Sequence, residues 1–367
     1  MSLIKATYIA TRPDRDPEKL AENIAREQSL EILDELIPDV IRQSHLGQVL
    51  GIEALDEERW ALQIAYPAHL ASGQIGQLLQ LLYGNVSFYP RIRLAEIELA
   101  DDLIRALPGP RAGIAGIREL IGVFDRALLL TVLKPRGSSP AELADLAERF
   151  ALGGGDIVKD DQNLVETDLN LFQARVAGCA EAIERAAQTT GRRCLYLPHV
   201  AGSGDHLARQ LSIVAQQGLP GVVMCPWFMG LETAASAAGD DGLMWLAHPA
   251  GAGVYTEPTD MGIAAHLVFG TLTRLAGADL CIYPGSGGRI STHGGDENRI
   301  AESLTGPLAD HKATLPCTGG GKTLAQAPEV AASLGPDCAI VVGGDLLRLG
   351  PLMEDGVRTT IESLKVV

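Results

Sequence analysis

From Arg126 onward the sequence repeats one unit eight times, a short apolar run followed by a longer polar or amphipathic segment. The runs fall at residues 128–133, 157–158, 194–197, 222–225, 244–247, 280–283, 314–317 and 339–342. Between them, helical spacing of apolar residues marks 140–152, 169–187, 206–217, 258–276 and 325–334, with 233–238 the weakest of the set. Unbroken apolar runs suit strands buried on both faces, and parallel strands need long crossovers. Eight such units predict a C-terminal (β/α)8 TIM barrel of α/β class with right-handed crossovers. A barrel takes roughly 250 residues, and the chain has 367. The remainder reads as a small α+β N-terminal domain, with strands at 3–10, 46–50 and 60–65 and helices at 17–26 and 73–83. The Pro/Gly-dense break at 107–113 sets the expected boundary, giving domains 1–115 and 116–367.

Catalytic groups of such barrels sit on the loops that follow the strands. Here those ends read Lys134-Pro-Arg136, Lys159-Asp-Asp161, His199, Pro226-Trp227, His248-Pro249, Pro284 through Arg289, Thr318 through Gly321, and Gly343-Gly344-Asp345. A single histidine at a strand end is an ordinary structural group, but lysine or histidine after strands one, two, three and five predicts a catalytic rim. The sharpest stretch is Gly153 to Asn163. Lys159 and Asp161 are two apart, so an extended chain turns both side chains to one face. A carboxylate-rich cluster suits Mg²⁺. An ammonium does not ligate metal, so Lys159 is an ion-pair partner, a proton-transfer group, or an amine converted by CO₂ to an anionic carbamate. Glycines 319, 320, 343 and 344 follow strands seven and eight, where barrels hold phosphate on backbone N–H groups, and Thr318, Arg136 and Arg289 join them as phosphate candidates.

With 46 acidic and 30 basic residues the net charge is -16, which excludes nucleic acid and anionic membrane surfaces as partners. Any phosphate must be gripped locally. No apolar run reaches membrane length and residues 1–15 lack a signal-peptide core, so a soluble cytoplasmic protein is expected. Six cysteines without CxxC spacing read as reduced core residues.

Together the motifs resemble the large subunit of RuBisCO, and more closely the RuBisCO-like proteins that do not fix CO₂. Gly-Gly-Asp-Ile-Val-Lys159-Asp-Asp161 is similar to the family's Gly-x-Asp-x-x-Lys-Asp-Asp-Glu, whose carbamylated lysine binds Mg²⁺ with the second aspartate and the glutamate. Lys134-Pro-Arg136, His248, Thr318-Gly319-Gly320 and Gly343-Gly344 fall where the family has its strand-one Lys-Pro-Lys, its strand-five histidine and its glycine clusters. Taken locally, Glu27 ends a helix and Asn85 belongs to a turn. The resemblance implies instead that both reach a neighbouring subunit's site in a homodimer. It also implies Mg²⁺ held by Lys159 as carbamate, Asp161 and, in place of the glutamate, Gln162. An amide there brings no charge.

Loop six, Gly-Ser-Gly-Gly-Arg-Ile-Ser, lacks the family's Gly-Lys, which disfavours a carboxylase. His248 is followed by Pro249 and Ala250 rather than by an arginine, so a monophosphate fits better than a bisphosphate. The shared chemistry is proton abstraction next to a carbonyl, giving an enediolate. Lys134, placed in a buried cationic neighbourhood with Lys159 and Arg136, is the expected base, the Lys159 carbamate its rival, and His199 and His248 the proton shuttles. The favoured activity is isomerisation of a ketose 1-phosphate, 5-methylthioribulose 1-phosphate above others. The alternatives are enolisation of 2,3-diketo-5-methylthiopentyl 1-phosphate, decarboxylation of a 3-oxo acid phosphate, and a non-catalytic sugar-phosphate-binding role.

Overall fold

The computed structural model describes residues 2–13, 16–291 and 297–365. Thirteen strands lie among them: β1 (Leu3–Thr11), β2 (Gln48–Ala54), β3 (Arg59–Pro67), β4 (Ile92–Glu98), β5 (Leu128–Leu133), β6 (Ile157–Asp160), β7 (Leu195–Leu197), β8 (Gly221–Met224), β9 (Met244–Ala247), β10 (Gly262–Ile263), β11 (Leu280–Pro284), β12 (Leu315–Gly319) and β13 (Ala339–Val341). Two compact units divide the described residues. The first takes the chain to Gly109 together with Ala252–Ala276 and the described part of Thr292–His311, and the second takes the rest. A single cut at residue 115 therefore does not separate them, because the first unit recruits two segments from inside the barrel sequence.

In the first unit the strand order is β10-β4-β1-β3-β2. β1 pairs antiparallel with β3 and β4, and its even-numbered residues Ile4, Ala6, Tyr8 and Ala10 are buried. The helix Pro17–Ser29 starts where the Asp16 carboxylate accepts the Glu18 amide at 2.9 Å, and it buries Leu20, Ala21, Ile24 and Ala25. Residues 258–276, expected as one helix, are not one. Gly262 has φ +91°, and a Cβ there would lie 2.1 Å from the Tyr255 carbonyl oxygen. Its N–H donates to the Tyr83 hydroxyl at 2.7 Å, and β10 runs parallel to β4. The helical pattern resumes as a π-helical stretch, His266–Leu272, and a short helix, Thr273–Leu275. Long-range pairing to the first sheet has overridden the local periodicity.

The second unit is the eight-stranded parallel barrel, in the order β7-β6-β5-β13-β12-β11-β9-β8. β7 and β8 are joined by a parallel bridge between His199 and Val223, with the Val223 N–H donating to Pro198 O at 2.8 Å. Each predicted apolar run forms a strand, and the run at 157–158 extends through Lys159 and Asp160. The expected helices 140–152 and 169–187 appear as Pro140–Leu152 and Leu169–Thr190. Ser139 and Glu142 form a capping box on the first, and 233–238 lies within a helix, Leu231–Asp240. Alternate residues of the strands fill the interior: Leu128, Leu130 and Val132, then Ile157, Leu195 and Leu197, Val223, Met244 and Leu246, Leu280 and Ile282, Leu315 and Cys317, Ala339 and Val341. No helix among the described residues is long and apolar enough to cross a membrane.

Candidate active site at the strand ends

That inward alternation builds the site. Two residues beyond the last inward-facing core position of each strand come Lys134, Lys159, His199, Cys225, His248, Pro284, Gly319 and Gly343. Because the side-chain period of a strand is two, all eight continue the inward set where the barrel opens. A cavity of about 230 Å³ collects Lys134, Lys159, Asp161, Gln162 and His248 on one side. Gly319, Gly320, Gly343, Gly344 and Arg289 line it as well. A larger cavity, about 390 Å³, lies among the turns that lead into β5, β6 and β7 and holds no lysine–histidine constellation of this kind.

Lys159 is 1 % exposed and donates to the backbone oxygen of Asp160 at 2.6 Å. Burial pushes its pKa down from 10.5 to about 8, against the pull of the Asp161 and Asp160 carboxylates. More of it is therefore free amine at neutral pH than of an ordinary lysine. Asp161 forms an ion pair with Lys134, Nζ to Oδ2 at 2.8 Å, and accepts from the Asn163 backbone N–H at 3.0 Å and from its side-chain amide at 2.8 Å. Burial would raise the Asp161 pKa, but Lys134 and Asn163 hold it below the usual carboxylate value. The Lys134 side chain is 40 % exposed and faces this carboxylate. The expected buried cationic neighbourhood belongs instead to Lys159, because the chain leaves the barrel wall at Pro135 and carries Arg136 out to the exposed surface.

Both rim histidines are held neutral. Burial and the Lys159 charge push His199 down to about 4 and His248 well below its ordinary value. His248 Nδ1 accepts the Ala250 N–H at 3.2 Å, which assigns the proton of the neutral ring to Nε2 and makes that atom a donor. His199 lies behind Lys159. Its Nδ1 faces the Leu164 carbonyl at 3.5 Å and its Nε2 faces Cys225 Sγ at 3.8 Å. Burial pushes the Cys225 thiol up to about 11, so it stays protonated. Thr318 is fully buried within β12, in register with Tyr283 and Ile340.

Loop six is seated on the strand-seven glycines. Ile290 N–H donates to Gly320 O at 2.8 Å and Gly285 N–H to Gly319 O at 3.2 Å. A Cβ on Gly320, at φ +92°, would lie 2.0 Å from the Ile290 carbonyl oxygen. These glycines thus seat a loop as well as lining the cavity.

Among the described residues no group of three or more His, Cys, Asp or Glu is arranged to hold a metal ion. Lys159, Asp161 and Gln162 become a hard-oxygen donor set only if the Lys159 amine carries a carboxylate. Its free-base fraction is what uptake of CO₂ requires, so the residues fit a divalent cation in the carbamylated state. Glu27 and Asn85 come together in the first unit, the Asn85 amide donating to Glu27 Oε1 at 2.9 Å. Gln28 fastens the pair: its amide nitrogen donates to Gln80 O and Leu81 O, and its oxygen accepts the Val86 N–H at 2.8 Å.

One cluster went unread in the sequence. Asp160, fully buried, is ion-paired to Arg175, accepts the Tyr196 hydroxyl at 2.9 Å and accepts the His199 backbone N–H at 2.9 Å. Glu166 grips the other side of the Arg175 guanidinium at 2.9 and 2.8 Å. Burial alone would lower the Arg175 pKa, but Asp160 overrides it and keeps the guanidinium charged. The pair fixes the ends of β6 and β7 relative to one another. Its signal was Arg175 standing on the buried face Phe172, Val176, Cys179, where an arginine needs a buried carboxylate.

The parallel barrel thus gathers amine, carboxylate and imidazole at its strand ends. Residues 113–350 match the family model "Ribulose bisphosphate carboxylase large chain, catalytic domain". Ribulose bisphosphate carboxylase-like protein 1 of Rhodopseudomonas palustris is 37 % identical over 98 % of this chain and 97 % of its own. 5-Methylthioribulose-1-phosphate isomerase of Rhodospirillum rubrum is 36 % identical over 94 % and 91 %. 2,3-Diketo-5-methylthiopentyl-1-phosphate enolase of Geobacillus thermodenitrificans is 31 % identical over 94 % and 88 %. A crystal structure of a Rubisco-like protein from Rhodopseudomonas palustris superposes with a TM-score of 0.89 at 33 % identity, covering 99 % of this chain and 98 % of that one. The chain belongs to the RuBisCO large-chain family, among its RuBisCO-like, form IV members.

Proposed function

We propose that this protein is an isomerase of a ketose 1-phosphate that works by removing a proton next to a carbonyl, with 5-methylthioribulose 1-phosphate as its substrate. The observation that carries the reading is the convergence of Lys134, Lys159, Asp161 and His248 on one cavity faced by glycine backbone. The isomerase named above, at 36 % identity over nearly the whole of both chains, supports this substrate over the alternatives.

Lys159 as carbamate, Asp161 and Gln162 would hold Mg²⁺. When bound, the cation supplies positive charge beside the carbonyl oxygen and so eases loss of the neighbouring proton. His248 presents Nε2–H to a substrate oxygen. The proton is taken by Lys134 or by the modified Lys159, and Lys134, exposed to the cavity and balanced by Asp161, returns one at the adjacent carbon. Gly319, Gly320, Gly343 and Gly344 offer their backbone to the phosphate, with Arg289 adding charge from loop six, while Thr318, buried in β12, and Arg136, on the exposed surface, stand outside this cavity lining. Glu27 and Asn85 act in a neighbouring subunit's site within a homodimer.

Incubation with 5-methylthioribulose 1-phosphate and a panel of other ketose and diketone phosphates in ²H₂O, with Mg²⁺ and bicarbonate, tests the reading. Deuterium and a new carbonyl on adjacent carbons of the first compound are expected. Turnover of 2,3-diketo-5-methylthiopentyl 1-phosphate alone would replace the isomerase by the enolase named above, and absence of exchange into every compound would overturn both.

A further inference from the structure

We propose a second binding site, for a small multivalent oxyanion, at the N-terminal end of the barrel, formed by Arg192, Arg193 and Lys365. The three line the cavity of about 390 Å³ described above. A neighbouring hollow of about 300 Å³ shares Arg192, Ile361 and Lys365 with it. The larger cavity is lined by four cations, Arg126, Arg192, Arg193 and Lys365, and two carboxylates, Asp125 and Asp156, a balance of four minus two, or +2. Arg126 and Asp156 cancel one another through paired bonds of 2.7 and 2.8 Å. That leaves three cations against Asp125 alone.

Such an excess is unexpected in a chain of net charge -16. Elsewhere several exposed arginines, among them Arg105, Arg185 and Arg358, are matched to carboxylates. Arg192, Arg193 and Lys365 have no ion pair among the described residues. The backbone at Arg192 is also seated. The helix Leu169–Thr190 ends at Gly191 with φ +69°, and the Arg192 N–H donates to Thr190 Oγ1 at 3.2 Å. Its guanidinium lies over Gly154, φ +91°, so closely that a Cβ there would stand 2.6 Å from Nη1. A side chain at 154 would require it to shift. Two adjacent guanidinium forks suit the paired oxygens of a phosphate ester or a polycarboxylate. The overall negative charge disfavours an extended polyanion such as nucleic acid.

Calorimetric titration of the full chain at low ionic strength, with pyrophosphate in one arm and citrate in the other, tests the site. Wild type is expected to bind at least one of them, and which arm responds decides between phosphate and carboxylate ligands. Arg192→Ser combined with Arg193→Ser, and separately Lys365→Ser, should weaken that binding by about tenfold or more while leaving the circular dichroism spectrum and turnover unchanged. All three residues are exposed, so loss of fold is not expected. No binding in wild type, or equal binding in wild type and the double variant, would overturn the proposal.

Discussion

At the N-terminal end of the barrel, Asp156 receives Arg126 through two bonds and the Leu129 N–H at 2.8 Å, while Asp279 receives the N–H groups of Ala112, Gly113 and Trp245 at 2.6, 2.9 and 3.1 Å. At the C-terminal end, Lys159 is equally buried but donates only to a backbone oxygen, at 2.6 Å, and of its two carboxylate neighbours Asp161 is ion-paired with Lys134 and Asp160 with Arg175. Saturated buried charges tie loops together and have no capacity left for chemistry. A buried amine without an anion of its own costs stability and keeps its reactivity. The N-terminal end of the barrel therefore carries charges that hold, while at its C-terminal end the holding pair Asp160–Arg175 stands beside a buried amine that has no ion pair of its own among the described residues.

The largest expected effect is on Lys159→Ala, which should lose turnover by about 10³-fold or more, measured as deuterium exchange into substrate. Its melting temperature should be unchanged or higher, because an uncompensated buried charge has gone; a large drop would place Lys159 among the holding charges instead. Arg126→Met should do the reverse. Leaving Asp156 buried and unpaired costs about 3–5 kcal/mol in chemical denaturation, with turnover of the folded fraction intact. Gln162→Glu gives the candidate cation site a further negative charge and should tighten Mg²⁺ binding by about an order of magnitude in calorimetry with bicarbonate present. The smallest effect is on pH dependence. With the Lys159 pKa lowered to about 8, the rate of bicarbonate-dependent activation should climb with pH and flatten above about 8. Because the unfolded chain keeps that proton up to 10.5, the same group makes stability rise with pH between about 8 and 10.5.

Much of the C-terminal arrangement was legible in the sequence because strand periodicity carries it. Ile157, Lys159 and Asp161 share one parity, and the same spacing leads from Leu130 and Val132 to Lys134 and from Leu246 to His248. What periodicity does not encode stayed hidden. Asp160 falls on the other parity, and its partner Arg175 is fifteen residues away on a helix. The Arg126–Asp156 pair joins two turns thirty residues apart. Residues 258–276 follow a helical pattern, yet Gly262 is claimed by β4, which lies far earlier in the chain. In each case a contact distant in sequence decides the outcome, and the local pattern is silent about it.

Uptake of CO₂ by the Lys159 amine, which donates to a backbone oxygen, is the central proposal. Carbon-13 NMR of the protein incubated with ¹³C-bicarbonate and Mg²⁺ tests it directly. A carbamate resonance that appears in wild type and in Lys134→Ala but is lost in Lys159→Ala is the predicted result. A spectrum without that resonance, or one in which it survives replacement of Lys159, would contradict the account.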